Sequence, residues 1–396
     1  MQHASENSLK LGLISDNYPY AGGSGGIGSY TCAVAEYLAL CGHEVHVFTM
    51  AQEPGTLTRN RVRIWKCPSW SGRRSLPLRT AIQYTIRYGR QPRYLNRVAI
   101  SQAVTRASKD RPFDVLESPE FGALGDLVSP SCYRRLSVRL HGPATQVVEQ
   151  APWHVSDSPE RALALRADRV TVGSYSARAA ISSHWGVDLS HVKVIRNPIP
   201  RSMASRIPAE QDPARIVCFG RFDERKGLPV LIRALGLLMG KGIRCKVTLV
   251  GNDTYSKGGS AYSRILLQLA QELGVADSVT IASPLYGREL TECVTEHMVA
   301  VFPSRIETSP IAIMEALSWG IPVVSSDIPP FLELREETYA FPVFLDGSPS
   351  SLADSLASVI EAFQAALAAA QEGRERADRW SVNDVTQELL SYWLKA

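Results

Sequence analysis

Strand-length apolar runs alternate with helical patterns along this chain, and after residue 213 the alternation starts again. That periodicity limits the fold more than any other feature. Leu9–Ser15 is apolar and of strand length. A glycine-rich stretch follows, then an amphipathic helix is predicted from Ser29 to Cys41, ended by Gly42-His43, and a second strand at Val45–Phe48. Strand, helix, strand in that order implies a right-handed parallel unit. Further strands are predicted at Val115-Leu116, Ser137–Leu140, Val170–Val172 and Val192–Ile195. Pro198–Pro213 is polar, contains proline and lacks periodicity, so it reads as a linker. Beyond it, strands are predicted at Ile216–Phe219, Lys246–Val250, Val279–Ile281 and Val299–Phe302, with helices over Gly227–Gly240 and Tyr262–Leu273. Two α/β domains follow, each a doubly wound parallel sheet.

Length agrees, because 396 residues exceed one ordinary core. No apolar run reaches the roughly 18 residues that a membrane-crossing helix needs. Met1–Asn7 has neither a basic region nor an apolar core, so no signal peptide is expected. The seven cysteines are scattered, odd in number and without a C-x2-C pair. Neither a disulfide framework nor a zinc site is expected, and a reducing cytoplasm is the simplest location. The net charge of +4 hides a basic block, since fourteen Arg and Lys residues between Arg59 and Arg111 face only Asp110. The block reads as a solvated helical face or as a surface for anionic lipid or a phosphorylated acceptor. No nucleic-acid module accompanies it.

The chemistry concentrates in Phe302–Ala316. A strand ends at Phe302, a polar loop holds Arg305 and Glu307, Ser309 suits a helix N-cap, and Pro310 suits the first turn. That helix is predicted to run to Gly320, with Ile321–Val324 as the next strand. Helix starts attract anions, so a phosphate-bearing ligand with hydroxyls fits a carboxylate before the start (Glu307) and another inside the helix (Glu315). Glu315 among apolar neighbours needs a partner, and a ligand hydroxyl would serve. A structural salt bridge is the plainer alternative for either carboxylate. Arg221 and Lys226 flank a turn after a strand. They suit phosphate oxygens, or are simply exposed cations beside Asp223, Glu224 and Arg225.

Gly23-Ser24-Gly25-Gly26-Ile27-Gly28 satisfies G-x-G-x-x-G. Asn17–Gly22 intervenes between it and its strand, and Val47–Met50 offers no acid for a ribose, so a dinucleotide site is disfavoured. A flexible loop whose backbone approaches a phosphate or acceptor suits these glycines better. His141 ends a strand, where α/β sheets place ligands, although a lone histidine is often structural. Glu117 and Glu120 also end a strand. They could orient acceptor hydroxyls or pair with the basic block.

These residues resemble, in order and across nearly the whole chain, the retaining nucleotide-sugar glycosyltransferases of family 4, which have the GT-B fold. Glu307…Glu315 matches that family's E-x7-E signature and Gly220-Arg221…Lys226-Gly227 its GR-x4-KG clamp. Asp16–Gly28 resembles its glycine loop, His141-Gly142 its H-G pair, and Ile195–Pro198 its interdomain segment. Thr308-Ser309-Pro310 replaces the usual Phe-Gly after the first glutamate.

The resemblance implies two Rossmann-like domains facing a cleft, 1–198 and 199–379, with the helix of 380–396 returning to the first. It implies a nucleotide-diphosphate sugar, UDP- or GDP-linked, as co-substrate. Gly25, Gly26, Arg221, Lys226, Glu307, Thr308, Ser309, Pro310 and Glu315 would bind the donor, and His141, Arg221, Lys226 and Glu307 would act in catalysis. Asp16, Tyr18, Glu117 and Glu120 are the expected acceptor-side contacts. A carbohydrate, lipid-linked or small-molecule hydroxyl would be the acceptor, in envelope glycan or secondary-metabolite glycosylation. No D-x-D occurs, so no metal or other cofactor is expected. A GT-B epimerase or hydrolase and a non-catalytic nucleotide-sugar-binding protein are the alternatives.

Overall fold

Continuous apolar runs buried on both faces pair Leu11 with Val45, Leu13 with Val47 and Ile14 with Phe48, joining β1 (Lys10–Ser15) to β2 (Glu44–Ala51) in parallel. A computed structural model of the chain describes residues 8–22, 25–69, 92–142, 159–199, 214–254 and 260–395. It divides into two compact units, Met1–Pro198 with Val382–Ala396, and Ile199–Ser381. Gly23, Ser24, most of the linker, and Trp70, Arg73, Arg74, Arg79, Tyr84, Tyr88 and Arg90 of the basic block lie outside the described residues.

In the first unit, β3 (Gly55–Arg59), β4 (Val62–Pro68), β5 (Val115–Pro119), β6 (Leu136–Leu140), β7 (Arg169–Val172) and β8 (Lys193–Val194) complete a sheet of order β3-β4-β2-β1-β5-β6-β7-β8. Every pairing is parallel except β3 with β4. That hairpin was not anticipated. Its turn puts Asn60 and Arg61 at φ 48° and 65°, the left-handed pair a tight hairpin wants, but Asn-Arg lacks the usual glycine. It also corrects the expectation of a helical basic face for part of the block, because Arg59, Arg61, Arg63 and Lys66 stand on a β-ribbon, whereas Arg97 and Arg106 lie on the helix Pro92–Ala107. The core beneath is aromatic, with Phe48 edge-on to Phe113 at 5.7 Å.

Helix α1 (Gly26–Leu40) begins three residues earlier than Ser29. Gly25, at φ 126°, ends the loop. Gly28 lets the first turn press on the chain after β1, since a Cβ there would lie 1.6 Å from the Asn17 carbonyl oxygen. Helices α2 (Pro92–Ala107), α3 (Pro159–Leu165) and α4 (Tyr175–Trp185) follow.

The second unit restarts the pattern with β9 (Arg215–Phe219), α5 (Leu228–Gly240), β10 (Lys246–Val250), α6 (Tyr262–Glu272), β11 (Val279–Ala282), α7 (Gly287–Thr295), β12 (Val299–Phe302), α8 (Ile311–Trp319), β13 (Val323–Ser326), α9 (Pro329–Glu337) and β14 (Val343–Phe344). All its pairings are parallel, in the order β11-β10-β9-β12-β13-β14. The chain winds outward from β9 to β11, then crosses back to place β12 on the other side of β9. The β9/β12 boundary is therefore the topological switch point, where ligands of open α/β sheets bind. In the first sheet the corresponding boundary is β1/β5.

Helices α10 (Pro349–Glu361) and α11 (Phe363–Ala377) follow, and α12 (Val382–Leu394) belongs to the first unit. Arg135 donates to the Trp393 carbonyl (2.9 Å), and Arg169 to that of Tyr392 (3.2 Å), answering carbonyls that a helix end leaves unpaired. No single helix among the described residues is long and apolar enough to cross a membrane.

Candidate active site

The loops after β9 and β12 are fastened together. The Arg305 N–H donates to the Arg225 carbonyl at 2.7 Å. Gly227, at φ 62°, lies so close to the second loop that a Cβ would be 1.9 Å from the Pro303 carbonyl oxygen. This register delivers Lys226 to Glu307 across 81 residues of sequence, Nζ to Oε1 at 2.5 Å. Ser304 Oγ donates to the same Oε1 at 2.9 Å. Gly220, Arg221, Lys226, Phe302 and Ser304 line a small cleft here.

Arg221 lies beside Lys226 and is paired with Asp223, through Nε at 2.9 Å and the guanidinium at 2.9 Å. Burial alone would raise the Asp223 pKa. The ion pairs with Arg225 and Arg221 prevail and hold it below the usual carboxylate range. Asp223 also caps the turn Glu224–Lys226 through the Arg225 N–H, which fixes where Lys226 points.

Helix α8 corrects the expected cap. Ser309 precedes the cap position and Pro310 occupies it, at φ −80°, ψ 90°, with no side-chain cap. Pro310 itself has a ψ outside the helical region, so the first helical residue is Ile311. The helix start therefore presents its dipole end without a side-chain oxygen on it. One turn on, Glu315 is half-buried, and its carboxylate has no hydrogen bond or ion pair among the described residues. Burial, with no opposing charge, pushes its pKa up to about 8.

The first unit gathers a second constellation at its own switch point. Tyr30 of α1 donates to both Glu117 oxygens at 3.0 Å. Arg139 lies over the Tyr30 ring at 4.2 Å and donates to the Ile195 carbonyl and Asn197 Oδ1, both at 2.8 Å. Burial raises the Glu117 pKa to about 7 despite Arg139. Glu120 is fully buried and accepts the backbone N–H of His141 at 2.8 Å and of Gly142 at 2.6 Å. Burial pushes its pKa up to about 8 against those hydrogen bonds, helped by nearby Glu160. The His141 ring meets Tyr30 edge-on at 5.4 Å. Burial and Arg139 hold its pKa well below the ordinary value, so the imidazole is neutral at pH 7.

Other expected residues are dispersed. Tyr18 is wholly buried, its ring against Tyr20. Asp16 follows β1 and accepts from Asn17 at 2.8 Å. Gly25 is the exposed cap of α1 and Gly26 its first residue. Within the basic block, Arg59 stacks on Tyr20 and Arg63 on Trp65. Arg97 is buried and donates to the Gly122 carbonyl, and Arg111 pairs with Asp114 and Glu44. The acids opposing Arg111, Asp114 and Glu44, lie outside the block, so a count within it misses them. Tyr30, Arg139 and Ser304 were not anticipated, because an isolated Tyr, Arg or Ser carries no spacing signal.

Two family profiles tile the chain. Glycosyltransferase Family 4 matches residues 24–202, and Glycosyl transferases group 1 matches residues 202–376. The chain belongs to the family 4 glycosyltransferases. A D-inositol 3-phosphate glycosyltransferase of Mycolicibacterium smegmatis is 26% identical to this transferase over 413 residues, covering 96% of it and 88% of the relative. A protein of the same name from Gordonia bronchialis is 27% identical over 177 residues, covering 41% of the chain and only 38% of the relative. Among solved structures, sucrose-phosphate synthase from Thermosynechococcus elongatus superposes with a TM-score of 0.76 at 19% identity, covering 96% and 97% of the two chains. Anabaena HepE in complex with UDP and glucose superposes at 0.72 with 18% identity, covering 97% and 99%. These neighbours establish the transferase as GT-B.

Proposed function

We propose that this enzyme transfers a sugar from a nucleoside-diphosphate sugar to a hydroxyl acceptor with retention of anomeric configuration and without a metal ion. The observation carrying the proposal is the meeting of Lys226 and Glu307 at the β9/β12 switch point, ahead of α8, whose N-cap makes no side-chain hydrogen bond, and of Glu315, whose carboxylate has no partner among the described residues. That arrangement suits a diphosphate flanked by polyols. Arg221, Lys226 and the α8 start take the diphosphate, Glu307 the sugar and Glu315 the ribose hydroxyls. HepE has also been solved in complex with UDP-glucose, which supports the same ligand class.

In the reaction the bond from the anomeric carbon to the phosphate oxygen breaks, and a bond to the acceptor oxygen forms on the same face. The acceptor proton passes to the departing diphosphate. Arg221 and Lys226 stabilise the charge that builds there, an electrostatic role. His141 is assigned a hydrogen-bonding role in the reaction as a neutral imidazole. The first unit is assigned the acceptor. The names of the curated relatives make D-inositol 3-phosphate the first acceptor to test. Contact with anionic lipid is a further part of the proposal, carried by the density of Arg and Lys in the sequence between Arg59 and Arg111. Vesicle sedimentation that ignores anionic lipid content would remove that part.

The test is transfer assayed in EDTA with UDP- and GDP-sugars, with the product's anomeric proton coupling read by NMR. Retention without metal supports the proposal, and an inverted product overturns it. Donor consumption without acceptor would indicate a hydrolase or epimerase.

A further inference from the structure

We infer that Ser304 is a positioning residue that turns the Glu307 carboxylate so that one chosen oxygen faces the donor sugar. The inference rests on the function proposed above. The two oxygens of Glu307 are not equivalent. Oε1 accepts from Lys226 at 2.5 Å and from Ser304 Oγ at 2.9 Å, whereas Oε2 takes no hydrogen bond from any described residue. Two donors fill the acceptor capacity of Oε1 and leave Oε2 for the ligand.

Ser304 is itself held. It is 2% exposed at the end of β12, and its carbonyl accepts from Ser326 Oγ at the end of β13, a residue with no exposure at all. The chain Ser326, Ser304, Glu307, Lys226 thus ties together the carboxyl ends of β13, β12 and β9. A lysine alone is a flexible point charge that would pair with either oxygen. A buried hydroxyl on a rigid strand end removes that freedom and fixes the orientation before the sugar arrives. It also gives Lys226 a way to engage a phosphate while Glu307 keeps its orientation, because Ser304 still holds Oε1.

The discriminating quantity is the ratio of affinities for a nucleotide sugar and for the same nucleotide without the sugar, measured by calorimetry with UDP-glucose against UDP and GDP-mannose against GDP. Ser304→Ala should lower that ratio about 5- to 10-fold while leaving the bare nucleotide's affinity unchanged. The same change made on Glu307→Ala should have no further effect, since its action runs through that carboxylate. Ser326→Ala should lower the ratio in the same direction by less. A folded Ser304→Ala protein with the wild-type ratio overturns the inference and leaves the proposed function standing. So does an undiminished effect in the Glu307→Ala background. A wild type that binds neither nucleotide pair overturns both.

Discussion

Lys226 Nζ and Glu307 Oε1 lie 2.5 Å apart, so the cation proposed to take the diphosphate is paired with the carboxylate proposed to take the sugar. Lys226→Ala should therefore lower donor affinity and turnover together, by about 10- to 100-fold each, the worth of a charge-assisted hydrogen bond. Steady-state kinetics with the donor varied measures both. Unchanged kinetics would remove Lys226 from the site.

Glu315 makes the ligand-free protein sensitive to pH. Its folded pKa of about 8 stands far above the unfolded value near 4.3, so between those values the folded state binds more protons than the unfolded one. Its contribution to stability is therefore lost as pH rises from about 5 to 8. Glu315→Gln should raise the melting temperature at pH 8 and change it little at pH 5, while weakening nucleotide binding. Glu117 and Glu120 shift in the same direction, so the comparison must be between variant and wild type. A variant that melts below wild type at pH 8 would refute this account of Glu315.

Gly227 is needed twice over, for its φ of 62° and for its approach to the Pro303 carbonyl. Gly227→Ala should cost about 2–4 kcal/mol in urea unfolding, by combining backbone strain with a forced separation of two loops. Gly236→Ala, in the same unit with open space around it, is the control and should be neutral or stabilising.

Glu120 holds the His141-Gly142 turn through two backbone N–H groups. Glu120→Ala would bury both donors unpaired and should cost at least about 2 kcal/mol, with Glu120→Gln recovering part of it. Nucleotide affinity should stay at the wild-type value in both variants, because Lys226, Glu307 and Glu315 belong to the other unit. A loss of nucleotide affinity in the folded Gln variant would contradict this division.

Much of the fold was legible because parallel buried strands are short continuous apolar runs. Ile216–Phe219, Lys246–Val250 and Val299–Phe302 appear almost where the sequence places them. Spacing also singled out the glutamate pair and the Arg-Lys clamp, since carboxylates eight positions apart and cations five positions apart are local patterns. What escaped was set by tertiary contact. The start of α1 depends on Gly28 meeting Asn17, and that of α8 on the extended ψ of Pro310. The β3/β4 hairpin turns on two left-handed residues of which neither is glycine. Val343–Phe344 forms the edge strand β14 only by pairing with Ser325–Ser326. The direct pairing of Lys226 with Glu307, and the role of Ser304 between them, required two loops 81 residues apart to be fastened together.

The central claim is that the β9/β12 switch point binds a nucleoside-diphosphate sugar without a metal. Isothermal calorimetry in EDTA against UDP-, GDP-, ADP- and dTDP-sugars, for wild type and Lys226→Ala, tests it most directly. The account predicts saturable binding of one nucleotide class to the wild type, weakened at least about 10-fold in the variant. Binding that appears only with a divalent cation, or that survives intact without Lys226, would contradict it.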